Sequence, residues 1–210
     1  AIYMSATAKS HRGSKDKEII NFEEEEAHIK IYIEKHEVDH RIDIHLRKSH
    51  AKGIAIDAIP IKKINDLFGM LNVVFFSPED LNIIKRGPAD RRRFIDMELC
   101  QLSKIYVDSL INYNKILAQR NKLLKDISFN ADKNELLQSL DIWDIQLIHY
   151  GSEIIKYRKD FIEKLNIYIK DIHSSITGEK ESLYIKYDMN IDIDQYENAV
   201  LKTRDNDIKY

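Results

Sequence analysis

The sequence predicts an α/β fold carrying a long helical insertion, and three patterns lead there. Ile29, Ile31 and Ile33 alternate with Lys30, Tyr32 and Glu34, and Val38, His40, Ile42, Ile44 and Leu46 alternate with Asp39, Arg41, Asp43, His45 and Arg47. Period-two alternation of that length marks half-buried antiparallel strands. Further along, Leu136, Leu140, Trp143, Leu147, Tyr150, Ile154, Tyr157, Phe161 and Leu165 step by four and three, which is the heptad seam of one helix packing on another. After Gly178, Leu183, Ile185 and Tyr187, then Met189, Ile191 and Ile193, alternate once more and read as a returning strand. The order is therefore an α/β piece over 1–100, a helical hairpin over 101–177, and a return over 178–210.

Residues 1–8 read as the last turns of a helix, and Lys9-Ser10-His11-Arg12-Gly13-Ser14 as a polar loop. After the two long strands, a third short strand is expected over Gly53 to Ile61, which makes an antiparallel β meander with one face on a core. Lys62 to Met70 reads as a short helix, and the unbroken apolar run Leu71 to Phe76 as a fully buried strand. Ser77-Pro78-Glu79-Asp80 opens a helix, with a hydroxyl cap, Pro at the first position and acids in the first turn. Gly87-Pro88 repeats the device and opens an arginine-rich helix. Leu102, Tyr106, Leu110, Tyr113 and Leu117 mark one face of the next long helix, and Ile127 to Lys133 reads as a polar break before the seam helix. At 1.5 Å per residue the longer member of the hairpin reaches on the order of 60 Å.

Composition narrows the class. The 210 residues are 43% apolar and 32% charged with only 6 Gly and 3 Pro, which suits a folded chain with charged surfaces. A single cysteine, Cys100, excludes an internal disulfide and fits a reducing cytoplasm. The apolar run at Leu71 to Phe76 is too short to span a membrane, and no signal segment opens the chain. The formal net charge is −2, yet Lys85, Arg86, Arg91, Arg92 and Arg93 crowd together while Glu23 to Glu26 form an acidic run. A near-neutral total can thus hide a basic face. The opening Ala1-Ile2-Tyr3 and the closing charged stretch to Tyr210 both read as the interior of a longer chain.

Three stretches resemble the RecF family of bacterial DNA-repair ATPases. They are Ala8 to Ile20 around Ser10-His11-Arg12, then Leu67-Phe68-Gly69 with Asn72 through Leu81, and Gly87-Pro88-Ala89-Asp90-Arg91-Arg92-Arg93-Phe94-Ile95-Asp96. The second and third, at their mutual spacing, are the most specific. Tyr113-Asn114 with Gln119-Arg120-Asn121, and Trp143-Asp144 with Gly151, extend the likeness across nearly the whole chain. The resemblance implies an ATP-binding-cassette head of the structural-maintenance-of-chromosomes kind, with a helical arm inserted in it. It also implies ATP and Mg2+ as cofactors, an ATP-dependent homodimer, duplex DNA near single-strand gaps as ligand, and RecR and RecO as partners in loading RecA. No Gly-x-x-x-x-Gly-Lys-Ser/Thr string occurs here, so a backbone cradle for phosphates is missing. By the resemblance, the phosphate loop lies before Ala1, and the signature and Walker B motifs lie after Tyr210. These residues alone are accordingly expected not to hydrolyse ATP.

The resemblance assigns nucleotide sensing to Arg12, Ser77, Glu79 and Asp80, and DNA contact to Arg12, Lys85, Arg86, Arg91, Arg92 and Arg93. Read from its chemistry alone, Arg12 is a solvated loop arginine. Ser77, Glu79 and Asp80 make a good helix cap, and the Gln usual in cassette sensing loops is absent. A cap and an anion-facing loop are compatible, since both use a helix N-terminus. Arg91, Arg92 and Arg93 turn by about 100° per residue and cannot share one face. Either they contact phosphates, giving affinity and salt dependence, or at least one pairs with Asp90 or Asp96 in an ion-pair network or lies against the head. His36, His40, His45 and His50 match no ligand spacing and have no cysteine beside them, so they read as strand-surface histidines rather than a zinc site. Tyr106, Tyr113, Trp143, Tyr150, Tyr157 and Phe161 sit in heptad register, which makes them core rather than a base-stacking platform. Two other readings fit less of the chain. One is another cassette or overcoming-lysogenization-type nuclease head, which needs an added acidic metal cluster. The other is a helical interaction module, which leaves Ser77 to Asp96 unexplained.

Overall fold

The computed structural model describes residues 1–12, 15–129 and 134–209, and the chain divides into two compact units, Ala1–Lys104 and Ile105–Tyr210. The first is built on a four-stranded antiparallel meander in the order β1-β2-β3-β4, with β1 Glu26–Lys35, β2 Val38–Arg47, β3 Gly53–Ile56 and β4 Ile59–Pro60. The register pairs Ile29 with Ile44 and Ile31 with Ile42, so the alternation seen in the sequence turns one isoleucine-rich face inward. Ile42, Ile44 and Leu46 are completely buried there with Met4, Ala8, Ile20 and Leu67. Helix α1 (Ile2–Thr7) supplies Met4 to that core, and α2 (Asp16–Ile19) is a single turn against β2.

Both tight turns of the meander are two residues long with both residues left-handed: His36 and Glu37 at φ 52° and 63°, Asp57 and Ala58 at φ 52° and 66°. Such turns match the twist of paired strands, although Gly or Asn usually fills them. The expected third strand, Gly53 to Ile61, is therefore a hairpin, because the Asp57-Ala58 turn splits it into β3 and β4. Lys62 to Met70 holds a 3-10 turn at Ile64–Asp66 and no α-helix.

The larger correction concerns Leu71 to Phe76, which is neither a strand nor buried. Val74 is 97% exposed and Phe76 77%. A buried strand needs partners on its edges, and among the described residues none pairs with this run. The Gln101 side chain does so instead, accepting from the Val73 N–H at 2.7 Å and donating to its carbonyl at 3.2 Å. Ser77 then opens a 3-10 turn (Pro78–Leu81) that runs into α3 (Asn82–Lys85), and Gly87-Pro88 opens α4 (Pro88–Leu102) with Pro at the first turn. Leu102 ends α4 and is exposed rather than on a buried helix face, because the chain breaks at Ser103 before α5.

In the second unit, α5 (Lys104–Phe129) and α6 (Asn134–Thr177) lie antiparallel. Tyr106 meets Tyr157 edge-on at 5.6 Å, while fourteen residues later Arg120 meets Asp144, so the numbers run in opposite directions. At 1.5 Å per residue, the 44 residues of α6 span about 66 Å. Leu140, Leu147 and Ile154 of the seam are buried, and the stripe aromatics Tyr113, Trp143 and Tyr150 pack around the Ile116–Leu147–Val200 cluster. The stripe is core. Ile127 lies inside α5 and is fully buried, so the polar break begins later than the sequence suggests, and 130–133 are outside the described residues.

The stretch 183–191 is not a strand, and Ile193 begins a helix. Among the described residues, Asn166 holds the backbone there, donating to the Ile185 carbonyl at 2.7 Å and accepting from its N–H at 2.8 Å. The Asp192 side chain accepts from the Ile193 N–H and caps α7 (Ile193–Asp207), which packs on α6. Alternation in 183–193 is a weak signal because a solvated extended segment shows it as readily as a strand.

Candidate functional site

Within the first unit, the loop after α1, the Ser77 turn and the start of α4 enclose a cleft of about 350 Å³. Its floor is aromatic. His11 lies against Phe75 at 4.5 Å between ring centres, and Tyr3 closes on both at 6.0 and 5.8 Å. The next residue, Arg12, lines the cleft together with Arg86 and Arg93, facing Glu79, Asp80 and Glu98. The loop after α1 and the residues from Phe75 onward, far apart in the chain, are thus brought to one opening.

The Ser77 turn shapes the acidic side. Ser77 is 8% exposed, and its N–H donates to the Asp80 carboxylate at 2.6 Å in a capping box. Glu79 is held below the usual carboxylate range by hydrogen bonds from its own N–H and the Ser77 hydroxyl. Desolvation opposes these bonds, and the positive field of Arg12 and His11 adds a smaller lowering. Burial pushes the Glu98 carboxyl upward instead. Two acids on one cleft are therefore biased oppositely, Glu79 toward the anion and Glu98 toward the neutral acid.

The structure sorts the basic cluster. Arg91 donates from Nη1 to the Arg86 carbonyl at 2.9 Å and the Ile83 carbonyl at 3.3 Å, so it satisfies the free carbonyls at the end of α3. Of the two expected alternatives, an acid partner or a place against the neighbouring fold, Arg91 takes carbonyl partners at the end of α3. Arg86 and Arg93 enter the cleft with Arg12, while Lys85 and Arg92 are exposed and do not line it. The cleft mixes both signs of charge. Tyr3, His11, Phe75 and Glu98 were not picked out by sequence reasoning; the adjacency of His11 to Arg12 is the one local hint.

The residues of the second unit that carry the family likeness have structural work. Arg120 donates to Asp144 at 2.6 Å with both side chains buried, and it also pairs with Asp207 at 2.9 Å. Arg204 pairs with Asp141 and donates to the Leu137 carbonyl at 3.0 Å. Gly151 leaves room for the Tyr196 ring of α7, since a Cβ there would lie 2.5 Å from it. Among the described residues no helix is long and apolar enough to cross a membrane.

Could this cleft hold ATP and Mg2+? The guanidinium groups suit a phosphate and the ionised Glu79 suits a cation, but the phosphate-cradling loop is not in these 210 residues. They fit as one wall of a nucleotide site. No protein-family model matches the chain. It is similar over its whole length to the DNA replication and repair proteins RecF of Lachnospira eligens, 59% identical over 210 residues, and Agathobacter rectalis, 57% identical over 209. It spans 58% and 57% of those relatives. A solved structure of the recombination mediator protein RecF with ATP, from the RecFOR pathway, superposes with a TM-score of 0.86 at 29% identity, over all of this chain and 58% of that one.

Proposed function

The chain belongs to the RecF family, and on that premise we propose that it forms part of a recombination mediator in DNA replication and repair, contributing one wall of an ATP-gated DNA-binding head. The observation that carries this reading is the convergence of Arg12, Glu79, Arg86 and Arg93 on a single cleft. In this reading Arg12 senses the nucleotide phosphates, and Glu79 and Asp80, presented by the Ser77 turn, sense the accompanying Mg2+. Two such heads sandwich ATP and close on duplex DNA near a single-strand gap. RecR and RecO join them there so that RecA loads. Arg86, Arg93 and the exposed Lys85 and Arg92 contact DNA phosphates, which gives affinity without base specificity. Arg91, engaged with the end of α3, contributes chiefly through the shape of that region.

ATP-dependent DNA binding by the full-length protein containing this chain tests the assignment. Arg12→Ala is expected to weaken binding about tenfold, the worth of one charge-assisted hydrogen bond, and to do so with ATP but not without it. Equal loss in both conditions refutes the sensing role. Arg92→Ala is expected to reduce binding uniformly across sequences and to flatten its salt dependence.

A further inference from the structure

On the meander face opposite the isoleucine core, the register pairs His28 directly with His45. Glu26, two residues before His28 on β1, lies on the same face. The two imidazoles stack with ring centres 4.1 Å apart and planes inclined by 20°. His45 Nε2 meets the Glu26 carboxylate at 2.5 Å, and one ligand atom from each of the three residues lies within 4.8 Å of the others. We propose that Glu26, His28 and His45 form a Zn2+ site on the outer face of the β1–β2 hairpin, with a fourth position open to water.

Two imidazole nitrogens, one carboxylate oxygen and an open position are a donor set Zn2+ accepts readily. Tetrahedral bonds of about 2.0 to 2.1 Å put neighbouring ligand atoms roughly 3.3 Å apart. The widest present spacing, 4.8 Å, therefore asks for up to about 1.5 Å of side-chain adjustment, and the Glu26 side chain, already against His45, is 54% exposed and has room to make it. The two histidines are held by the rigid ladder rather than by loops, which fixes their mutual distance before metal arrives. The next strand leaves room as well. Gly53 is the partner of His45 on β3, and a groove of about 340 Å³ beside the imidazoles includes it. Of the neighbouring cations, Arg47, the cross-strand partner of Glu26, donates from Nη2 to the Ala51 carbonyl, and Lys30 lies 4.0 Å from the Asp43 carboxylate. His40 and His50 take no part, the first being bound to Asp57 and the second to Ser49.

Titration of the purified chain with ZnCl2 by calorimetry, and with Co2+ by visible absorption, tests the site. The expected result is one equivalent bound in the micromolar range, tetrahedral Co2+ bands, and a rise in melting temperature on adding Zn2+. His28→Gln and His45→Gln are each expected to weaken binding about tenfold or more and to abolish the Zn2+-dependent rise, while His50→Gln changes neither. The metal-free melting temperature of each variant reports whether it folds, and Glu26→Gln, which leaves both imidazoles in place, is expected to weaken binding in a chain of unchanged stability. Binding by the His28 and His45 variants equal to that of the parent chain, or no stoichiometric binding by the parent, overturns the proposal.

Discussion

Gln101 and Val73 are joined by two hydrogen bonds, the amide of one side chain taking both backbone groups of a residue 28 positions earlier. An isolated extended segment is thereby held as if by a neighbouring strand, using one buried residue of α4. Gln101→Ala leaves the Val73 N–H and carbonyl without that partner and is expected to cost about 1–3 kcal/mol. Hydrogen exchange at the Val73 amide should accelerate in the variant while the β2 amides stay protected. Uniform acceleration would mean the pair has no local role.

Asp144 is 1% exposed and sits between Arg120 and Arg204. Removing one partner of a buried ion pair strands the other charge, at roughly 3–5 kcal/mol. Asp144→Ala should therefore destabilise the second unit by about 3 kcal/mol in urea unfolding. Replacing Arg120 and Asp144 together by apolar residues should cost less than Asp144→Ala alone, which a double-mutant cycle measures.

Gly151→Ala places a methyl group into the Tyr196 ring. The expected cost is about 1–3 kcal/mol, as for overpacked cores. Tyr196 is half-buried and hydrogen-bonded with Tyr113, so its fluorescence or ring NMR signals should shift as α7 loosens from α6. Tyr196→Ala combined with Gly151→Ala should show no further loss from the added methyl.

Ala58 holds a left-handed conformation at φ 66°, which costs an ordinary L-residue about 1–2 kcal/mol. Ala58→Gly is expected to stabilise the first unit by about 1 kcal/mol, seen as a higher melting temperature. The neighbouring Asp57 carboxyl is held below its usual range, first by His40 and then by the Arg41 N–H. A lowered folded pKa means its stabilisation is present above the ordinary carboxylate range and fades as pH falls through the lowered value. Asp57→Asn should remove that component, so that the variant's stability falls less steeply with pH below about 4.

Burial pushes the Cys100 thiol up to about 12, so little thiolate exists near neutrality. Iodoacetamide should label the native chain slowly and the urea-unfolded chain quickly. Rapid native labelling would contradict this burial.

Much of the architecture was legible because its signals are local. The isoleucines of β1 and β2 alternate on a ladder whose period is two, and the seam of α6 repeats with the helix, so each announces its own conformation and its buried face. Ser77 and Gly87-Pro88 marked their helix starts for the same reason: a cap is a contact between near neighbours. Leu71 to Phe76 and Leu183 to Ile193 misled because an apolar or alternating run records a residue's affinities and not whether an edge is available to pair with it. At Val73 and Ile185 a side-chain amide stands where a strand was expected.

The candidate sites divide along the same line. The residues Arg12, Ser77, Glu79 and the arginines of α4 were open to selection from the sequence, because their order and spacing resemble a known pattern. That Arg91 caps α3, that Arg86 and Arg93 share a cleft with Arg12, and that His28 rather than His40 joins His45 were decided only by the tertiary structure. The sequence by itself determined which segments become strands and helices where hydrogen bonds and side-chain periodicity act within a few residues. Charge pairing and metal-ligand distance depend on strand register and helix crossing, which are set by packing among residues far apart in the chain.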